Sequence, residues 1–150
     1  MKTDETYHEI LAKSYLVYFI CSSIALFFDS RLNLHFSFPL QLPIAIICFG
    51  AGPLLILWAQ FSSSGVATTQ QRSGLYFGKG PYKYMRNPTQ LGLLILVAGY
   101  TLISSSIIFF AVTIVSYFIS NIYFKRYEKY LAIHFTEHYN AYKEKVKKLL

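Results

Sequence analysis

Between Leu91 and Phe124 the chain runs 34 residues without one charged side chain. A membrane-spanning helix needs about 20 predominantly apolar residues. The run is too long for one crossing. It reads as a tight helical hairpin, 91–104 and 107–124, turning near Ser104–Ser106. Its first arm is short for a span or tilted. The serines are a weak turn signal, because serine can also sit within a helix and bond back to its carbonyls. Two earlier apolar runs lead to the same environment. Leu42–Phe61 is 20 residues with no charge, and Ala12–Phe28 is 17 residues, closed by Asp29, Ser30, Arg31 and Asn33. The expected fold is therefore one all-α integral membrane domain over residues 1–150. It has about four spans (12–28, 42–61, 91–104, 107–124), a cytoplasmic loop 62–90 and an amphipathic tail helix 125–149. Charged residues make up 14% of the chain, against about 25% in soluble domains, which fits that environment.

The start, "MKTDETYHEI", mixes acids with one lysine and lacks the basic-then-apolar pattern of a signal peptide. The first run is thus expected to stay as a helix. In the second run, Gly50 and Gly52 permit close helix approach, Pro53 invites a kink, and Trp58 suits an interface. Cys21 and Cys48 lie alone inside apolar runs and read as small buried residues.

The net charge is +7. Arg72, Lys79, Lys83 and Arg86 lie in the loop. The tail carries seven more cations, Lys2 and Lys13 precede the first span, and Arg31 alone falls on the other side of a four-span layout. The positive-inside rule then places both termini and the loop in the cytoplasm. Tail residues Leu131, Phe135, Tyr139, Tyr142, Val146 and Leu149 recur at helical spacing as one apolar stripe. That helix is expected to lie on the membrane or fold back over the loop. Lys143, Lys145, Lys147 and Lys148 suit acidic lipid head groups, so the bilayer is the expected partner and nucleic acid is not. Nothing in the sequence sets an oligomeric state.

The stretch "GPYKYMRNPTQLG", Gly80–Gly92, opens the hairpin. Asn87 suits an N-cap, Pro88 the first helical position, and Gln90 stands three residues after the cap. The free N–H groups of the helix start, with Arg86 just before them, make a place for a carboxylate or phosphate. A well-capped membrane helix with a basic loop accounts for the same residues without any ligand. Tyr82 and Tyr84 could stack on a base, or simply anchor at the interface.

"GPYKYMRNPTQLG" resembles the G-P-Y-R-x-x-R-[HN]-P-x-Y-x-G signature of integral-membrane methyltransferases, the isoprenylcysteine carboxyl methyltransferase and phospholipid N-methyltransferase families. Their second motif, a Glu-Glu pair followed by leucine, F-G-x-x-Y-x-x-Y and a valine, is similar to "YEKYLAIHFTEHYNAYKEKV". Phe135, Tyr139, Tyr142 and Val146 keep its spacing. The resemblance covers about Trp58 to Val146.

It implies S-adenosylmethionine bound at the cytoplasmic membrane face under a lid of loop and tail, and methyl transfer to a lipophilic or membrane-embedded acceptor. An isoprenylcysteine-type carboxylate, a phospholipid amine and a small thiol all stay open as acceptors. By position, Tyr82, Asn87, Pro88 and Gln90 match the cofactor-contacting loop. Leu75, Tyr76 and Phe77 match the segment lining the adenosyl group. Glu128 matches the second glutamate of the pair, near the cofactor's amino group, and Arg86 keeps the family arginine; these two are the catalytic candidates. The chain departs from the pattern: Gln90 replaces a tyrosine, Tyr127 the first glutamate, and Phe135-Thr136 the Phe-Gly. A shift of one residue would exchange the roles of Tyr127 and Glu128. Tyr127 and Gln90 also motivate a different reading, a non-catalytic membrane scaffold or inactive homologue. His134-Phe-Thr-Glu137-His138 spells an inverted zinc-protease motif. It has no convincing third ligand and borders the apolar stripe, so no metal is expected.

Overall fold

The computed structural model describes residues 7–32, 34–63, 79–134 and 136–146. The helices are α1 (Tyr7–Leu32), α2 (Gln41–Ser63), α3 (Pro88–Ser104), α4 (Ile107–His134) and α5 (Thr136–Lys145), with a 3-10 turn at Gly80–Lys83 before α3. The chain is an all-α integral membrane protein. Ala12–Leu32, Gln41–Ser62 and Ile107–Lys129 are each long and apolar enough to cross a bilayer, and α3 is a shorter apolar helix.

The helices pack as two antiparallel pairs. α1 lies along α4, so that Tyr18 meets Ser120 and Asp29 meets Ser106. α2 lies along α3 where both lack side chains. A Cβ added to Gly52 would stand 2.7 Å from the Gly92 carbonyl oxygen, and one added to Gly99 would stand 2.7 Å from the Phe49 nitrogen. With little hydrophobic drive between helices in lipid, such close backbone approach supplies the packing. Gly50, expected to share this role, has open space around it. α2 continues through Pro53.

The buried face of α4 is a stripe at helical spacing: Ser106, Phe109, Thr113, Ser116, Ser120, Phe124 and Tyr127. Its hydroxyls are satisfied locally. Thr113 and Ser116 donate to the carbonyls of Phe109 and Val112, each at 2.7 Å. Thr113 also pairs with Thr101 of α3 at 3.1 Å. Large apolar side chains such as Phe19, Phe61 and Phe118 point outward, as a lipid-facing surface requires.

Two expected boundaries move. α1 does not stop at Phe28 but runs another turn, because its polar end residues find partners. Ser106 Oγ donates to Asp29, Ser30 Oγ donates to the Phe27 carbonyl at 2.8 Å, and the Arg31 guanidinium lies 5.7 Å from the centre of the Phe27 ring. The tail helix does not begin at Lys125. The polarity changes there, but no glycine or proline breaks the backbone, and α4 continues to His134 before the short α5.

The hairpin does turn at the serines. Ser105 ends α3 in a left-handed conformation, φ 56, a shape that disfavours residues with a Cβ. The turn is braced from outside. Gln41 Nε2 donates to the Leu102 carbonyl at 2.6 Å and to Ser105 Oγ. Phe36 N–H donates to the Ser105 carbonyl at 2.8 Å, and Ile107 N–H to the Leu34 carbonyl at 3.0 Å. Ser106 Oγ accepts the Phe109 N–H at 3.2 Å, capping α4.

Candidate active site

The other end of the bundle gathers the start of α3, the basic turn before it, the charged extension of α4, and α5. Gly80 allows the loop to dock there. Its φ is 55, and a Cβ would stand 2.0 Å from Ser62 Oγ at the end of α2. Glycine is the residue that suits both constraints. Pro81 is buried behind it.

Arg86 is the organising side chain. Nη1 donates to Glu128 Oε1 at 3.1 Å, Nε to the Val146 carbonyl at 2.7 Å, and Nη2 to the Lys143 carbonyl at 3.1 Å. The ion pair is 12% and 13% exposed, so it is far less screened than a surface pair. The two carbonyls belong to the end of α5, where the helix dipole favours a cation. The expectation that Arg86 adds its charge to a site for an external carboxylate or phosphate therefore meets a different arrangement. All three of its nitrogens are bonded to the protein, and their work is to tie the tail to the mouth of α3.

Tyr142 makes a second tie. Its hydroxyl donates to the Tyr82 carbonyl at 2.8 Å. Burial pushes this phenol above its ordinary pKa, Tyr82 adds to the rise, and the Arg86 guanidinium pulls the other way. Tyr142 and Val146, both expected on the apolar stripe, are buried. Of the two arrangements considered for the tail, α5 adopts the one folded back over the loop.

Asn87 occupies the N-cap position of α3 by its backbone: its carbonyl accepts the Leu91 N–H at 3.1 Å. Its side chain makes no cap bond. Instead Nδ2 lies 3.5 Å from Gln90 Oε1, and Oδ1 is the one buried side-chain atom without a hydrogen-bond partner among the described residues. A buried acceptor left unmet costs about 1–3 kcal/mol, which makes it a natural seat for a ligand's N–H or O–H. Pro88 is buried as the first residue of α3.

Gln90 is buried too, and its Nε2 donates to Ser120 Oγ at 2.9 Å. Ser120 lies 3.2 Å from the Tyr18 hydroxyl. Neither Ser120 nor Tyr18 stands out in a motif. Ser120 could have been found from the spacing of small hydroxyl residues along 106–120; nothing in the sequence marks Tyr18.

The carboxylate that meets Arg86 is Glu128. Tyr127 instead lies buried on the α4 stripe, its ring 5.5 Å from that of Phe124. Tyr82 is half-buried and Tyr84 exposed, with Lys83 Nζ 5.9 Å from the centre of the Tyr84 ring. Leu75, Tyr76 and Phe77, assigned to the adenosyl group, lie outside the described residues, as do Phe135 and the tail lysines 147 and 148. The same holds for the side chains of His134, Glu137 and His138.

The donor set fits a zwitterionic sulfonium such as S-adenosylmethionine. It offers a buried carbonyl acceptor at Asn87, a carboxylate at Glu128, and the positive end of α3 for a ligand carboxylate. No curated protein and no solved structure matches the chain significantly. The sequence model of the family described as phospholipid methyltransferase matches residues 40–141. That span holds α2, α3, α4, the loop between them and Glu128, and the chain belongs to the phospholipid methyltransferase family.

Proposed function

We propose that this protein transfers a methyl group from S-adenosylmethionine to a lipophilic acceptor held in the membrane. The observation that carries the reading is the Arg86–Glu128 contact, which joins two motifs 42 positions apart at one helix mouth, beside an acceptor atom on Asn87 that is unmet among the described residues. Bound there, the donor would supply an already activated methyl sulfonium, so that the acceptor's lone pair forms the new bond as the carbon–sulfur bond breaks. The protein's own part is positioning and exclusion of water. Asn87 Oδ1 accepts from the ligand, and Glu128 offers negative charge to a cationic group. Arg86 holds Glu128 in place and, with Tyr142, keeps α5 across the opening. Tyr82, Pro88 and Gln90 shape the mouth; Leu75, Tyr76, Phe77 and Tyr127 are assigned to it by motif position alone.

Lys79, Lys83 and Arg86 of the loop and the cations of α4 and α5 lie on this same end, whereas Arg31 lies on the other. By the positive-inside rule, this end faces the cytoplasm, with both termini, in a multi-pass arrangement. The donor then enters from water, and the acceptor enters sideways from the bilayer.

The test is to incubate membranes containing the protein with donor labelled on its methyl group and to identify the labelled molecule. Label in a lipid amine, a prenylated carboxylate or a small thiol names the acceptor, and Arg86→Ala should abolish it. Membranes that acquire no label above those lacking the protein would favour the non-catalytic scaffold.

A further inference from the structure

We infer that Tyr18 of α1, acting through Ser120 and Gln90, is a positioning residue for the methyl-donor site. α1 lies upstream of the matched residues 40–141, so this contribution belongs to no part of the family match. The inference rests on the function proposed above.

The argument is one of donors and acceptors. A hydroxyl has one proton to give and two lone pairs. Ser120 Oγ lies 3.0 Å from the Tyr117 carbonyl, which can only accept. The Ser120 proton goes to that carbonyl or to the Tyr18 hydroxyl, which accepts from Ser120 at 3.2 Å, and either way Ser120 takes the Gln90 amide on a lone pair, at 2.9 Å. All three residues are buried: Tyr18 is 3% exposed, Ser120 0% and Gln90 8%. Water cannot easily substitute for any of them.

This fixes which way the Gln90 amide points. Its NH2 is held on Ser120, so its Oε1 is left for Asn87, whose Nδ2 lies at 3.5 Å. The Asn87 amide is thereby biased to turn its nitrogen toward Gln90 and to leave Oδ1 unmet. The chain from Tyr18 to Asn87 thus selects a hydrogen-bond acceptor, rather than a donor, for presentation at the mouth. An acceptor suits a cationic or N–H-bearing ligand. A flipped amide would offer NH2 and repel it.

The experiment compares purified full-length protein in detergent as wild type, Tyr18→Phe, Ser120→Ala and Ser116→Ala. Ser116 is a matched control, since it is buried one turn away and, among the described residues, its hydroxyl bonds to the Val112 carbonyl of its own helix. Binding of tritiated S-adenosylmethionine and thermal melting are measured, together with KM and kcat once an acceptor is known. Loss of one oriented hydrogen bond predicts binding weakened about tenfold in Ser120→Ala and about threefold in Tyr18→Phe, with a raised KM for the donor and kcat nearly unchanged. Ser116→Ala should bind as wild type does. Wild-type binding by both Tyr18→Phe and Ser120→Ala would overturn the inference and leave the proposed function standing. So would losses that Ser116→Ala shares in proportion to its melting temperature. Absence of binding by the wild type would instead overturn the proposed function, and the role of Tyr18 with it.

Discussion

At the Ser106 end of the bundle, Asp29, Gln41, Ser105 and Ser106 bond to one another and to backbone, and the left-handed Ser105 is braced by Gln41. At the Arg86 end, an ion pair and two carbonyl ties are just as closely knit, yet Asn87 Oδ1 has no partner among the described residues. The first end has the polar groups a hairpin turn needs to close. The second has those, and one acceptor that folding does not use. That difference, rather than polarity or charge by itself, separates a brace from a site.

The comparison breaks most visibly at Arg86. Removing one partner of a mostly buried pair costs about 3 kcal/mol, roughly a hundredfold in an equilibrium. Arg86→Ala should therefore release α5, seen as faster protease cleavage of the tail, and weaken donor binding by about that factor. Arg86→Lys keeps the charge but lacks the fork that reaches three acceptors, and should fall between.

Ser106→Ala sharpens the contrast from the other side. It removes the cap of α4 and strands Asp29, at about 1–2 kcal/mol. Melting in detergent should fall while donor affinity stays at the wild-type value. A loss of affinity there would show that the two ends are coupled.

The smallest effect is expected at Tyr142. Tyr142→Phe deletes one hydrogen bond to the Tyr82 carbonyl, about 1 kcal/mol. Burial favours the neutral phenol, so its folded pKa lies above its unfolded one near 10. The tie is complete below about pH 10. It is lost as pH rises from there through the folded value. Hydrogen exchange of α5 should be slower in wild type than in Tyr142→Phe below that pH, and the gap should narrow above it.

Much of this was legible in the residues. Long uncharged runs fix helices in a membrane because only helices and closed barrels satisfy the backbone there, and barrel strands are about ten residues of alternating polarity, so the three long helices and the hairpin could be read directly. The meeting of loop and tail could be read from two motifs at family spacing, but the ties of Arg86 to Glu128 and to the tail carbonyls could not, because the residues pointed its charge at an external anion. The continuation of α4 past Lys125 could not, because a change of polarity does not end a helix when the backbone can go on. Gly92 and Gly99 show the same limit. A glycine in an apolar run gives no sign of which neighbour it admits, and Gly50 has the same chemistry with nothing packed on it. Tyr18 is one of 13 tyrosines; only the fold distinguishes it, by bringing it to Ser120.

The most direct test of the account asks which end holds the donor. Methyl-tritiated S-adenosylmethionine is photo-crosslinked to the purified protein by ultraviolet light, and the labelled peptides are mapped. The account predicts label within residues 75–90 or 120–146, displaced by excess unlabelled donor and lost in Arg86→Ala. Displaceable label confined to residues 29–41 or 101–107 would contradict it, as would no displaceable label at all.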